Sequence, residues 1–227
     1  IAGAEAVLKS EEKSKGVVVV DFGAETTSVC IYKSNVLLSV SVLPFGGANI
    51  TKDLTYLNID NDEAESIKIE KGSAVHYSEN IVEDPDGETQ LPGEDEKEIS
   101  EVIVARSEEI IENIYAQIRY SGAELQKLKS GIVITGGASQ LKGLDVVLSK
   151  KTGLSVRSGN PCQNISVLRD GLIVEPGDSQ TIGLLLLGKP DCCIEEPVIE
   201  KIVEPVVQKS APGELFGEDE IEVKQPR

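Results

Sequence analysis

Val17-Val18-Val19-Val20-Asp21-Phe22-Gly23-Ala24-Glu25-Thr26-Thr27 places four β-branched residues, a carboxylate and a run of small residues in direct succession. A continuous apolar run of this kind is the pattern of a strand covered on both faces, so it predicts a central strand. Just past such a strand, successive backbone N–H groups can cradle phosphate oxygens. The carboxylate can hold a magnesium ion through water, and threonine hydroxyls can donate to phosphates. Taken alone, a strand followed by Asp-x-Gly fits a plain hairpin with a polar turn equally well.

Downstream, residues 28–32 and Val36–Leu43 are apolar and β-rich, with Lys33-Ser34-Asn35 between them as a turn. Three consecutive antiparallel strands are therefore expected. Pro44 and Gly46-Gly47 break the sheet, and Asn49 or Thr51 can cap a helix reaching about Leu57. A second helix is expected over residues 62–71, with Gly72 as its stop. Residues 77–98 are acidic and rich in Gly and Pro, which reads as a loop or small hairpin. Ile99, Ile103, Ile110, Ile114 and Ile118, joined by Val102, Ile111 and Tyr115, recur at helical spacing and give the clearest amphipathic helix of the chain.

A second glycine-bearing stretch, Gly131-Ile132-Val133-Ile134-Thr135-Gly136-Gly137-Ala138-Ser139, reads as strand, tight turn and helix start. The helix is expected over residues 139–150, with Leu141, Leu144, Val147 and Leu148 on one face. Its glycines permit close backbone approach to a flat ligand such as adenine. An ordinary β–α turn needing positive φ produces the same pattern. A strand over 154–157 and a buried helix over 181–187 complete the expected domain, and Asp191–Arg227, rich in Glu, Pro, Val and Lys, reads as a disordered tail.

Composition narrows the function classes. Asp and Glu outnumber Lys and Arg 39 to 22, a formal charge of −17. Such a surface repels phosphate backbones and anionic lipid headgroups, which argues against a nucleic-acid partner. No stretch approaches the ~20 apolar residues of a membrane span, and the segment from Ile1 lacks a basic n-region, so a cytosolic chain is expected. The four cysteines, Cys30, Cys162, Cys192 and Cys193, form no C-x-x-C pair and are joined by one histidine, His76, which specifies neither a zinc site nor a disulfide framework. The absence of methionine and a start at Ile1 give the expectation of an excised segment.

The two glycine-bearing elements, in this order and with a helical insertion between them, resemble the second phosphate loop and the adenosine loop of the actin, Hsp70 and hexokinase superfamily. Within it the chain is similar to the FtsA family of bacterial cell-division proteins. The resemblance is carried by Ala6-Val7-Leu8 to Glu12, Gly46-Gly47-Ala48-Asn49-Ile50-Thr51-Lys52-Asp53, Ala64-Glu65-Ser66-Ile67-Lys68 with Gly72-Ser73-Ala74, and Val104-Ala105-Arg106 with Glu109-Ile110. Arg157, Gly159, Pro161 and Thr181-Ile182-Gly183-Leu184-Leu185 extend it to about Gly188.

That resemblance implies an α/β, actin-like (ribonuclease H-like) lobe with a mixed sheet. Residues 1–48 and 131–189 would form subdomain 2A, residues 49–130 an inserted α+β subdomain 2B, and residues 190–227 the tail. ATP or ADP with magnesium is the implied cofactor. Asp21 would act as the catalytic carboxylate, positioning magnesium through water. Gly23, Ala24, Thr26 and Thr27 would line the phosphates, Gly136, Gly137 and Ala138 would flank adenine, and Glu65 with Lys68 would contact the ribose and base. Without the resemblance, Glu65 and Lys68 are a solvated ion pair three residues apart. Glu25 stands where the family commonly has glycine, so its charge would oppose phosphate binding unless the carboxylate points away or meets the metal.

Arg106 would receive the C-terminal peptide of FtsZ, its fork suiting an acidic partner; pairing with glutamates of its own helix is the competing reading. The resemblance also implies self-association into actin-like protofilaments, weak ATPase activity at most, and a place on the inner face of the membrane at the division site. Membrane contact would come from a C-terminal basic amphipathic helix, which the acidic stretch 213–227 does not supply. A small-molecule kinase lobe, a pilus-assembly actin homologue and an Hsp70-like chaperone are the alternatives within the superfamily.

Overall fold

The four valines do form a central strand, and its neighbours follow from the local pattern. In the computed structural model, which describes residues 1–76, 93–161, 165 and 173–188, β1 (Val17–Phe22) pairs antiparallel with β2 (Thr27–Lys33), which pairs antiparallel with β3 (Val36–Leu43). Ser34 and Asn35, both at positive φ (52° and 63°), close β2 onto β3 in the two-residue turn whose twist suits a hairpin. On its other side β1 runs parallel to β4 (Ile132–Thr135), and β4 runs parallel to β5 (Val156–Ser158). The result is a mixed five-stranded sheet of order β3-β2-β1-β4-β5, an α/β fold as the sequence predicts.

Burial on both faces of β1 has two separate causes. Val18, Val20 and Phe22 pack with Val29, Ile31, Ile132 and Ile134 under Ile110, Ile111, Ile114 and Ile118 of the long helix α5 (Glu94–Tyr120) and under Leu144 and Leu148 of α6 (Leu144–Thr152). Val17 and Val19, with Cys30, Tyr32 and Val133, meet Ala4, Ala6 and Val7 of α1 (Ala2–Val7) on the opposite face. After α2 (Ser10–Lys15), Gly16 turns the chain into β1. Arg157 of β5 ties this entry to the sheet, donating to both carboxylate oxygens of Glu12 (2.9 and 2.8 Å) and to the Val7 carbonyl (3.0 Å).

Between β3 and β4 the chain forms α3 (Gly47–Thr55), α4 (Asn61–Lys71) and α5, whose Ile50, Leu54, Ala64 and Ile103 make a cluster of their own. The N-terminal half of α5 belongs to that cluster and its C-terminal half to the sheet. Helix α3 starts earlier than the Asn49 or Thr51 cap predicts, because Gly46 occupies the cap. Asn49 instead reaches back, its Oδ1 accepting from the Gly46 N–H at 2.9 Å. Residues 94–98, read as loop, are the first turn and more of α5; the rest of the expected hairpin, the 77–92 stretch, lies outside the described residues.

The helix expected over 139–150 is broken. A 3-10 turn over Gly137–Gln140 precedes α6, with Gly143 at φ 73° between them. The cause is tertiary: a Cβ on Gly143 would lie 2.5 Å from Val75 Cγ2, so the chain must bend where it crosses the end of α4's segment. The helix α7 (Ser179–Leu187) forms as predicted, but it is not buried. Only Ser179 and Gly183 are covered, and Leu184, Leu185, Leu186 and Leu187 stand exposed. Contact with α1 is made by the first part of α7: a Cβ on Gly183 would lie 1.8 Å from the Ala2 carbonyl, and Ile182 packs against the α1 cluster, whereas the leucines that follow take up every side of the helix and stay uncovered. The tail expected over 190–227 and the cysteines 162, 192 and 193 lie outside the described residues.

Candidate functional site

Parallel pairing of β1 with β4 sets Asp21 opposite Thr135, and so brings the two glycine-bearing turns side by side. Contact between them is close: a Cβ on Gly136 would lie 2.5 Å from the Phe22 carbonyl and 2.6 Å from Asp21 Oδ1. Gly136 sits at φ 89°, ψ 161°, a region open essentially to glycine alone. The turn is fixed from behind by Pro176, whose carbonyl accepts from the Gly136 N–H and from the Thr135 hydroxyl, both at 3.1 Å.

The loop after β1 is shaped by α3. The carbonyls of Gly23 and Ala24 accept from the N–H groups of Gly47 (3.0 Å) and Ala48 (2.8 Å). In a planar trans peptide the N–H points opposite to the preceding carbonyl. The N–H groups of Ala24 and Glu25 are therefore turned away from α3, and neither has a partner among the described residues. Two adjacent outward N–H groups are the element of an anion-binding nest. Gly46 is required for this docking, because a Cβ on it would lie 2.3 Å from the Ala24 carbonyl.

Placement of the other expected residues is uneven. Ala24, Glu25 and Thr26 lie exposed at the loop tip. Thr27 is fully buried, its hydroxyl donating to the Phe45 carbonyl at 2.8 Å, so it braces the loop instead of facing the other members. Lys68, with a side chain 12% exposed, donates to Glu65 Oε2 (2.7 Å), Thr51 Oγ1 (2.9 Å) and the Gly47 carbonyl (3.2 Å). Its ammonium and the Ala138 Cβ both approach Gly47, at 3.4 and 2.9 Å from where a Cβ would stand. Burial alone would raise the Glu65 pKa, but hydrogen bonds from Lys68 and Thr51 and the Lys68 charge hold it below 4.5. Gly23, Gly47, Lys68 and Ala138 thus converge from four segments far apart in the chain.

Sequence reasoning missed two neighbours of Asp21. Gln180 of α7 donates from Nε2 to Asp21 Oδ2 at 2.7 Å, across 159 positions of sequence. No local pattern marks such a residue; only the approach of α7 to the end of β1 reveals it. Gly3 was likewise unmarked, although a Cβ on it would lie 3.2 Å from Asp21 Oδ2.

Arg106 lies apart from this cluster. It is paired with Asp53 of α3 through Nε and through Nη2 (3.0 Å), and Nη1 donates to Glu109 at 2.6 Å. The Asp53 hydrogen bond raises its pKa further, outweighing burial. Asp53, Tyr56, Leu57, Val102, Ala105, Arg106 and Glu109 line a shallow cleft of about 330 Å³, with Tyr56 75% exposed at its rim. The competing sequence reading holds in part: Arg106 does pair on its own helix, but its main partner is on α3.

Comparison with known proteins identifies the family and the fold. The chain is 36% identical over 190 residues to a cell division protein FtsA of Neisseria meningitidis, an alignment covering 82% of this chain and 45% of that protein. It therefore spans about half the length of the curated relatives it matches. Among solved structures, a PilM–PilN type IV pilus biogenesis complex superposes with a TM-score of 0.64 at 22% identity, covering 82% of this chain and 50% of that one. MreB5 of Spiroplasma citri bound to ADP gives a TM-score of 0.60 at 18% identity, covering 82% and 57%. Likeness at that level concerns the fold, which is actin-like. The sequence profile described as "Cell division protein FtsA" matches residues 18–178, and the chain accordingly belongs to the FtsA family of cell division proteins.

Proposed function

We propose that the chain is the nucleotide-binding lobe of an FtsA-type division protein, taking ATP or ADP with magnesium between its two glycine-bearing turns. The observation that supports this reading is the close approach of Gly136 to Asp21, which sets the two glycine-bearing turns side by side at the ends of β1 and β4. Ala24 and Glu25 N–H groups, with Thr26, would meet phosphate; Gly136, Gly137 and Ala138 would lie along the adenine; Lys68 and Glu65 would face the ribose and base. Thr27 would support the loop through Phe45.

The donor set fits a hydrated magnesium ion. Asp21 enters none of the ion pairs among the described residues, and no cluster of three metal-ligating side chains occurs among them. Magnesium characteristically keeps several waters and is held by one or two carboxylates plus phosphate oxygens, a requirement a single Asp can meet. The ion would neutralise phosphate charge; Asp21 would orient its water. Glu25, exposed at the loop tip, would weaken affinity by repulsion.

In the same reading, residues 49–130 act as subdomain 2B and the cleft at Arg106 takes the acidic C-terminal peptide of FtsZ, recruiting it to the septum. Tyr56 and Val102 would cover apolar side chains of that peptide, and Arg106 would exchange Asp53 or Glu109 for a peptide carboxylate. Self-association into protofilaments and membrane attachment through a C-terminal helix belong to the same proposal. Calorimetry with ADP, with and without magnesium, tests the first half: magnesium-dependent heat is expected, and none at millimolar ADP sinks it. Titration with an FtsZ C-terminal peptide tests the second.

A further inference from the structure

We propose that Gln180 is a positioning residue for Asp21: its amide fixes one carboxylate oxygen and thereby presents the other to the hydrated cation of the bound nucleotide. The inference rests on the nucleotide reading given above and adds to it a residue from α7.

Asp21 has two oxygens in different surroundings. Oδ2 accepts from Gln180 Nε2 at 2.7 Å and faces Gly3 of α1, whose Cβ would stand 3.2 Å away. Oδ1 faces the Gly136 turn, at 2.6 Å from the corresponding point. The terminal torsion of an Asp is broad and nearly two-fold, so nothing intrinsic to the side chain selects this orientation. One directed N–H on Oδ2 does select it, and it leaves Oδ1 on the side of the Gly136 turn, where the nucleotide is proposed to bind.

Ser179 gives a second, independent observation. Its side chain is fully buried, its hydroxyl has no hydrogen-bond partner, and it lies 3.3 Å from the same point above Gly3 that Oδ2 approaches to 3.2 Å. Buried hydroxyls are almost always bonded, and an unmade bond is costly. The hydroxyl and Oδ2 thus both border Gly3, which leaves Gln180 Nε2 as the donor to that oxygen. Gln180 is itself exposed. Ordering its side chain therefore contributes little to folding, and its contact with Asp21 is the main thing a substitution removes.

The test measures ADP affinity by calorimetry, with magnesium and with EDTA, in the 227-residue chain and in Gln180→Leu and Gln180→Glu. Leucine keeps the size and helix propensity and removes the donor. Expected for Gln180→Leu is an unchanged Kd in EDTA and an unchanged melting temperature. The improvement in Kd that magnesium confers should shrink by about 3- to 10-fold, the worth of one hydrogen bond. Gln180→Glu should lose the improvement, since it leaves no donor on Oδ2 and sets a second carboxylate beside it. A loss confined to the magnesium arm, with Kd in EDTA unmoved, is not expected of a residue with a merely structural role. A full magnesium effect retained in Gln180→Leu overturns the proposal while leaving the nucleotide site standing. No magnesium effect in the parent chain removes the nucleotide reading itself, and this proposal with it.

Discussion

Replacing Gly136 with alanine asks the most of the geometry. Its φ of 89° and ψ of 161° lie where side-chain-bearing residues are scarcely found, and forcing one there costs about 1–3 kcal/mol. The new methyl would lie 2.5 Å from the Phe22 carbonyl and 2.6 Å from Asp21 Oδ1. The carbonyl belongs to β1, held on one side by β2 and on the other by β4, so it has no freedom to yield. Overpacking of this kind adds about 1–3 kcal/mol. The sum, about 2–6 kcal/mol, is a large share of the ~5–15 kcal/mol that holds a domain folded. Gly137→Ala is the matched control: it has no left-handed φ, and a Cβ there meets nothing within 4 Å, so its effect should stay within about 0.5 kcal/mol. Urea denaturation followed by circular dichroism gives both values from the shift in midpoint at constant slope. Equal losses in the two variants, or a loss below ~0.5 kcal/mol in Gly136→Ala, would show that the two turns do not meet as described.

Arg106→Glu should weaken an FtsZ C-terminal peptide by about 1–3 kcal/mol, read by fluorescence anisotropy. An unchanged Kd would take Arg106 out of that interface. Glu25→Gly should tighten ADP, since it removes a charge from the loop tip; no gain would mean that the carboxylate points away from the phosphates. Because the Glu65 pKa is lowered in the fold, its contribution to stability is present above about 4.5 and is lost as pH falls through the lower folded value. Glu65→Gln should therefore flatten the acid limb of a melting-temperature profile, and identical limbs would refute the assignment. Burial raises the Cys30 pKa and shields its sulfur, so iodoacetamide should leave Cys30 unlabelled in the native chain, as mapped by mass spectrometry.

Local pattern was enough where packing is decided locally. The valine run, the turn expected within Lys33-Ser34-Asn35, which the structure narrows to Ser34-Asn35, and the isoleucine stripe of α5 each state their structure locally. What failed depended on partners distant in the chain. Four consecutive leucines look like core, yet α7 meets α1 only at its first turns, by Gly183 and Ala2, and the leucines beyond stand exposed. Gly143 looks like an ordinary helical glycine until Val75 is found against it. Alanine-rich α1 carried a helix signal that its shortness concealed. Thr27 looked like a phosphate ligand because hydroxyl and position suit that task, but strand alternation turned it inward toward Phe45. Gln180 could not be found at all without knowing the sheet order.

One edge of the sheet bears on handling the protein. β3 is the outermost strand on its side, and it contains neither a charged residue nor a proline, the usual safeguards of an open edge. Val36, Leu38, Val40 and Val42 are all about half exposed along it. What separates molecules in solution is then mutual repulsion from a charge of −17. Added electrolyte shortens the reach of that repulsion to about 3 Å at molar concentration. Storage buffers of low ionic strength should keep the chain clear, and salting should cloud it.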